Sequence, residues 1–210
     1  MNSYDLFCQL WEKDLLKNSP HLWWPNIYTF EVVIGAILTQ QTQWHKVIIS
    51  LNNLRSLDLL SLENLANAPI WKLASAISPS GFYNQKAKRL HHLSLNILHK
   101  FSSFETFQEN VTREWLLEQK GIGQESADAI LCYACRREEM VVDTYTARLL
   151  HQDYGFDELD YSILKDWLME GIITHYSQIC ILTHCEYSLN ELFALFHGMI
   201  VEYSKQTHSS

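Results

Sequence analysis

Apolar residues recur along the chain at spacings of three and four, the period of an α-helix with one face against a core. Phe30, Val33, Ile34, Ile37 and Leu38 make one such stripe, and Trp44, Val47, Ile48, Leu51 and Leu54 make the next. Leu90, Leu93 and Ile97 form a third, and Leu189, Leu192, Phe193, Phe196 and Ile200 another. Strand-type alternation is absent; "MVV" at Met140–Val142 is the nearest approach and is too short. Turn residues fall between the stripes: Pro25, Pro69, Pro79 with Gly81, the Gly121/Gly123 pair, and Gly155. Ser61, Thr112 and Ser162 stand just before stripes, where N-caps belong. The pattern predicts an all-α protein of about ten helices. No Pro/Gly/Ser-rich linker interrupts it, so two lobes, if formed, pack directly together.

Composition narrows the class. At 210 residues the chain suits one substantial domain or two small lobes, and 47% hydrophobic with 19% charged residues excludes a disordered chain. A net charge of −8 argues against a polyanionic partner, but only on average, because binding depends on where the positive residues sit. The stretch "MNSYDLFCQLWEKDLL" has no basic segment leading into an apolar one, unlike a secretory signal. The longest apolar run, "FEVVIGAIL", is too short to span a membrane. The five cysteines (Cys8, Cys132, Cys135, Cys180, Cys185) lack disulfide-framework spacing, so reduced thiols in a cytoplasmic protein are expected. Cys132 and Cys135 fall on one predicted helix beside Ile130 and Leu131 and read as small core residues. The ten histidines are scattered, without metal-ligand spacing.

The stretch "LLEQKGIGQESADAIL" (116–131) carries the first chemical signal. A phosphate loop needs G-x-x-x-x-G-K-[ST] after a strand, and a dinucleotide fingerprint needs a third glycine where Ser126 stands. Here "GIG" follows the helix-forming "TREWLLEQK", so both readings fail on context. What remains is helix, tight glycine turn, helix. The second helix begins with N–H groups at Gly123, Gln124 and Glu125 that suit a phosphate, and such a main-chain grip needs little net positive charge. An ordinary αα-hairpin, with glycines serving only the turn, is the plainer alternative.

About twenty residues further on comes "MVVDTYTARLL" (140–150). The hairpin followed by V-D-T-Y resembles the helix-hairpin-helix DNA glycosylase superfamily, whose familiar member is endonuclease III. "ILTQQTQWHKV" (37–47) is similar to that family's first helix end and wedge loop. "SGFYNQKAKRL" (80–90) is similar to its G-F-Y-N-x-K-A segment, and "LFHGMIVEY" (195–203) to its closing helix. The resemblance implies a six-helix lobe over 27–139 carrying the hairpin, a second helical lobe formed by 1–26 plus 140–210, and double-stranded DNA lying in the cleft between them.

It also assigns roles. Asp143 matches the family's shared catalytic carboxylate, which stabilises positive charge on the sugar as an N-glycosidic bond breaks; Asp is equally at home as an N-cap, and the two jobs are compatible. Bifunctional members carry a nucleophilic lysine two residues after the second glycine. Glu125 occupies that position, and Lys120 lies on the wrong side of the turn to substitute. A monofunctional enzyme leaving an abasic site is therefore expected.

The stretch "HLWWPNIYTF" (21–30) offers an aromatic wall for a flipped base, with Trp23, Trp24, Pro25 and Trp44 as pocket candidates and Lys205 beside them. One of the two adjacent tryptophans is expected to be core. This pattern is closest to the endonuclease III-like 3-methyladenine DNA glycosylases. Gln41 matches the residue that fills the gap left by the flipped nucleotide, while Lys120, Gly121, Gly123, Gln124 and Ser126 are candidates for holding the DNA backbone. Lys86, Lys88 and Arg89 read as phosphate contacts or as a solvated helix face. Carbonyls of Leu117, Gln119 and Ile122 are candidate ligands for a monovalent sodium or potassium ion. No iron–sulfur cluster is expected, since no cysteine follows Cys185. A monomer with no membrane partner completes the expectation. A glycosylase for mispaired or deaminated bases, or a non-catalytic hairpin protein that binds DNA, remains as an alternative.

Overall fold

The computed structural model describes residues 2–157 and 160–207. Among these the chain is helical without strands, as the spacing predicts, and its contacts divide it into two compact units: Met1–Pro25 with Arg136–Ser210, and Asn26–Cys135. The first unit opens with α1 (Ser3–Trp11). The second runs through α2 (Phe30–Leu38), α3 (Trp44–Ser56), α4 (Leu62–Asn67), α5 (Ile70–Ala76), α6 (Tyr83–Phe101), α7 (Phe104–Asn110), α8 (Arg113–Leu117) and α9 (Gln124–Ala129). The chain then returns to the first unit with α10 (Thr144–Tyr154), α11 (Tyr161–Thr174), α12 (Tyr176–Thr183) and α13 (Leu189–Thr207). Thirteen α-helices among the described residues exceed the ten expected because short ones such as α4, α5 and α8 show too few residues for a stripe.

The second unit is built around α2. Eight of its nine residues are buried, so it is apolar on every side rather than along one stripe, as a central helix must be. α6 lies against α4, α5 and α7 and buries Leu90, Leu93 and Ile97, the predicted stripe. α9 widens into a π-turn over Ile130–Ala134. A π-turn disturbs the regular ladder, and two of its carbonyls are claimed from outside the helix: Tyr133 accepts the Tyr28 N–H at 2.7 Å, and Ala134 accepts Gln108 Nε2 at 2.6 Å. Cys132 and Cys135 are buried here, as small core residues. Arg136, just beyond the last residue of this unit, takes a left-handed φ of 56°.

The core of the first unit gathers Phe7 of α1, Leu150 of α10, Leu168 of α11 and Phe193, Phe196 and Ile200 of α13. α1 is closed by a capping box in which Asn2 accepts the Asp5 N–H and Asp5 accepts the Asn2 N–H, both at 3.0 Å. Ser61 and Thr112 cap α4 and α8 as the pattern predicts. Ser162 does not cap α11: Asp160 does, accepting the N–H groups of Ser162 and Ile163, because a carboxylate two residues earlier reaches both donors. No helix among the described residues is long and apolar enough to cross a membrane.

The limbs of the glycine turn, α8 and α9, are held together by charge. Arg113 Nε lies 2.7 Å from Asp128 Oδ1 and an Nη lies 3.2 Å from Oδ2, and the Asp128 side chain is fully buried. Removing the guanidinium takes the opposite charge from a buried carboxylate, which costs far more than losing a surface pair. Arg113→Met should therefore lower unfolding free energy by about 3 kcal/mol in urea titration, with little change in the slope; a loss near zero would show that water reaches Asp128.

Candidate functional site

Asp143 begins α10. Its Oδ1 accepts the Thr146 N–H at 2.8 Å and the Thr146 hydroxyl at 2.9 Å, so it is the N-cap of that helix. Its Oδ2 is left facing another element: His197 Nε2 of α13 lies 3.5 Å away. Burial alone pushes the carboxyl up, but the His197 imidazole and the two Thr146 donors outweigh it, and Asp143 is held below the usual carboxylate range. It is a carboxylate at any neutral pH.

His197 links this carboxylate to the tryptophan pair. Its ring meets Trp23 edge to face at a centroid distance of 5.1 Å, and Trp23 meets Trp24 likewise at 6.0 Å. Trp23 lies directly on α13: a Cβ at Gly198 would fall 2.5 Å from its Cγ, so only glycine admits the indole there. Its Nε1 donates to Glu202 Oε1 at 2.9 Å, and the same oxygen accepts Lys205 Nζ at 2.8 Å. Lys205 Nζ stands 5.8 Å from the Trp23 ring centroid. Of the two tryptophans, Trp24 is the buried one, at 8% exposure, while Trp23 and Pro25 are half-buried. The segment reaches these positions through left-handed backbone at Leu22 and Trp23, with φ of 55° and 71°. Asp143, Trp23, Trp24, Pro25 and Lys205 thus belong to one unit, joined by two residues the sequence reading did not single out, His197 and Glu202. His197 adjoins the closing-helix stripe, a titratable residue beside an apolar face, whereas Glu202 lies on the Gly198 side of α13, where Trp23 packs.

The other candidates belong to the second unit. The loop after α2 carries Gln41, exposed, with a left-handed φ of 53°. For a residue other than glycine this costs roughly 1–3 kcal/mol, and such backbone persists only where neighbours over-determine it. Lys86 does part of that. Its ammonium donates to Leu38 O at 2.8 Å, Thr42 Oγ1 at 2.7 Å and Ser80 O at 2.9 Å, pinning the loop's two ends to the segment before α6. At 1% exposure Lys86 is neither a phosphate contact nor a solvated residue, contrary to the expectation, because three inward acceptors exceed what the surface offered it. Burial, and then the charge of Arg89, push it down to about 8. Trp44 opens α3 just beyond the loop and is half-buried. Phe82, which the sequence reading passed over, is 63% exposed at φ 45°, next to the same pinned segment.

The hairpin itself turns at Gly121, with φ of 86°. A side chain there would collide with the Arg89 guanidinium, whose Nε is 2.4 Å from the Cβ position. Lys120, Gly123 and Gln124 are exposed, as is Glu125. Ser126 departs from the expected backbone contact: it is buried, and its Oγ accepts Gln40 Nε2 at 3.0 Å. Of the carbonyls considered for a cation, that of Gln119 accepts the Ile122 N–H at 3.0 Å. A groove of about 810 Å³ lies beside the turn, lined by Lys88, Arg89 and Lys120 together with Glu118 among others.

A helical fold carrying a helix-hairpin-helix and a capped, ionised aspartate beyond it defines a class of DNA-repair enzyme. The chain belongs to the HhH-GPD superfamily of base excision DNA repair proteins, whose profile matches residues 34–172. It is 35% identical over 88% of its length, and 89% of the relative's, to MJ1434 of Methanocaldococcus jannaschii, a proposed DNA repair glycosylase. Its structure is similar to that of the Helicobacter pylori 3-methyladenine DNA glycosylase MagIII bound to 1,N6-ethenoadenine, with a TM-score of 0.95 and 48% identity, covering 99% of each chain. An endonuclease III–DNA covalent intermediate shares the fold at a TM-score of 0.69 and 16% identity, over 100% of this chain and 89% of that one.

Two outcomes follow from the charges. His197→Leu removes the partner that holds Asp143 low, so the acid limb of single-turnover base excision should move to higher pH while the rate near pH 8 changes little. An unmoved limb would mean that Thr146 alone sets the carboxyl. For Lys86 the folded value of about 8 lies below the ordinary 10.5, so the unfolded chain binds more protons across that window. Wild-type stability relative to Lys86→Met should therefore rise between pH 8 and 10.5 and be flat below, as read from paired urea titrations.

Proposed function

We propose that the chain is a monofunctional DNA glycosylase that flips and excises alkylated purines from double-stranded DNA, chiefly 3-methyladenine, and leaves an abasic site, acting as a monomer. The single observation that carries this reading is the contact between Asp143 and His197, which joins an ionised carboxylate to a half-buried indole, Trp23, on one helix. The similarity to the H. pylori enzyme, itself a 3-methyladenine DNA glycosylase with a modified adenine bound, supports the substrate class.

The chemistry suits such bases. Alkylation at N3 or N7 makes a purine cationic, attracted to an aromatic face and able to leave without a general acid. As the N-glycosidic bond breaks, its electron pair goes to the base and positive charge builds on the sugar. Asp143 stabilises that charge and takes up the proton of the attacking water, whose oxygen ends on the anomeric carbon. Glu202 fixes the Trp23 edge and neutralises Lys205, so a cationic base approaching the indole meets little net repulsion. In the second unit, the turn at Lys120–Gln124, exposed at Lys120, Gly123 and Gln124, grips the DNA backbone mainly through main-chain groups, and Gln41 fills the gap in the duplex. Glu125, where bifunctional relatives carry lysine, offers no amine for a Schiff base.

The test is release of free base from methylated duplex DNA, with alkali added afterwards to reveal abasic sites. Release of 3-methyladenine, with strand breaks only after alkali, is expected; breaks before alkali would refute the monofunctional assignment. Asp143→Asn should lose at least about 100-fold in single-turnover rate. Because asparagine caps helices as well as aspartate does, α10 should stay folded and its melting temperature nearly unchanged, so the loss can be assigned to chemistry.

A further inference from the structure

Gln40 precedes Gln41 in the strained loop, yet its side chain turns away from the loop and onto the hairpin. Its Nε2 donates to Gly121 O at 2.9 Å and to Ser126 Oγ at 3.0 Å, one contact on each side of the glycine turn. Its Oε1 accepts Arg89 Nη1 at 2.9 Å, and the Arg89 side chain fills the space that a Cβ on Gly121 would need. One amide therefore uses both of its ends inside the fold, and three elements far apart in sequence meet on it: the loop after α2, α6, and the turn between α8 and α9. The remainder of the loop is fixed from the opposite end by Lys86 and by the Thr42 hydroxyl, which bonds the Gln40 carbonyl at 3.2 Å. Gln41, at φ 53°, is thus held in its unfavourable conformation between a lysine anchor on one side and the hairpin on the other.

We propose that Gln40 is a positioning residue that couples the DNA-gripping hairpin to the gap-filling loop, so that seating the hairpin on the backbone sets the place of Gln41. The proposal rests on the roles given above to the hairpin and Gln41. It needs no contact between Gln40 and DNA. Gln40 acts through the backbone of its neighbour, and Arg89 serves the coupling by orienting the Gln40 amide rather than by meeting phosphate.

Discrimination is the quantity such a coupling moves. The hairpin alone supplies affinity for undamaged duplex, whereas preference for a duplex with a gap in its stack needs Gln41 correctly placed. Binding is measured at one salt concentration to undamaged duplex and to the same duplex with a tetrahydrofuran abasic analogue, for wild type, Gln40→Ala, Gln41→Ala and the double variant. Gln40→Ala is expected to bind undamaged duplex within twofold of wild type and to lose about tenfold in preference for the abasic duplex. Gln41→Ala should lose a similar amount, and the double variant no more than either single one. Gln40→Glu provides a second route that keeps a partner for Arg89 while setting an acceptor against the Gly121 carbonyl in place of the donor; it should behave like Gln40→Ala in discrimination, with its melting temperature read alongside to show that the fold is kept.

Equal loss on both duplexes in Gln40→Glu, full discrimination in Gln40→Ala, or penalties that add in the double variant would each overturn the coupling. Wild-type discrimination in Gln41→Ala would instead remove the role of Gln41, and the proposal with it.

Discussion

The Asp143 carboxylate has two oxygens and the fold gives them different work. One is consumed by Thr146, through both N–H and hydroxyl, which fixes the start of α10 and with it the orientation of the whole side chain. The other is left on the His197 side, partly exposed and ionised. A carboxylate free to rotate would lose entropy each time it met a substrate; one that is also an N-cap has lost it on folding. Much of the first unit follows from this arrangement, because α13 must bring His197 to Asp143 while leaving a glycine one residue later for Trp23 to lie on.

The second unit answers a different constraint, how a chain of net charge −8 holds a polyanion. On the function proposed above, it does so with few cations set close together. Lys88 and Lys120 line one groove, and the turn itself presents exposed main chain at Gly123. The other cations of the region are turned inward. Lys86 holds a loop, Arg113 holds the buried Asp128, and Arg89 divides its guanidinium between Gln40 and the floor beneath Gly121. Cations that look interchangeable in sequence are therefore mostly structural here, and the average charge says little about the binding face.

What could be read from the sequence was what local chemistry writes into spacing. The helices with clear stripes, the glycine turn between α8 and α9, and the cap at Asp143 all depend on residues within a few positions of one another. Lys86 departs from the expectation because its three acceptors come from residues 38, 42 and 80, and nothing local marks a lysine as buried. The roles of His197 and Glu202 cannot be read locally for the same reason: their partners lie more than fifty positions away. The tryptophan pair was legible as a pair, and only burial separated the core member, Trp24, from the half-buried Trp23.

Gln40 and Gln41 show how far this division goes. Adjacent and chemically identical, they cannot be told apart by composition or by periodicity. Backbone conformation separates them. The left-handed φ at Gln41 sends its side chain to solvent, and the preceding residue, with ordinary backbone, directs its amide onto the hairpin. A left-handed residue inside a short loop reverses the chain sharply, so neighbours on either side of it face different surroundings. The strain at Gln41 is therefore what allows one glutamine to face outward while the other is bound into the protein. A glycine at 41 would hold the same turn without strain but would leave no side chain to face outward, so the strained glutamine persists in a loop anchored through Lys86 and Gln40.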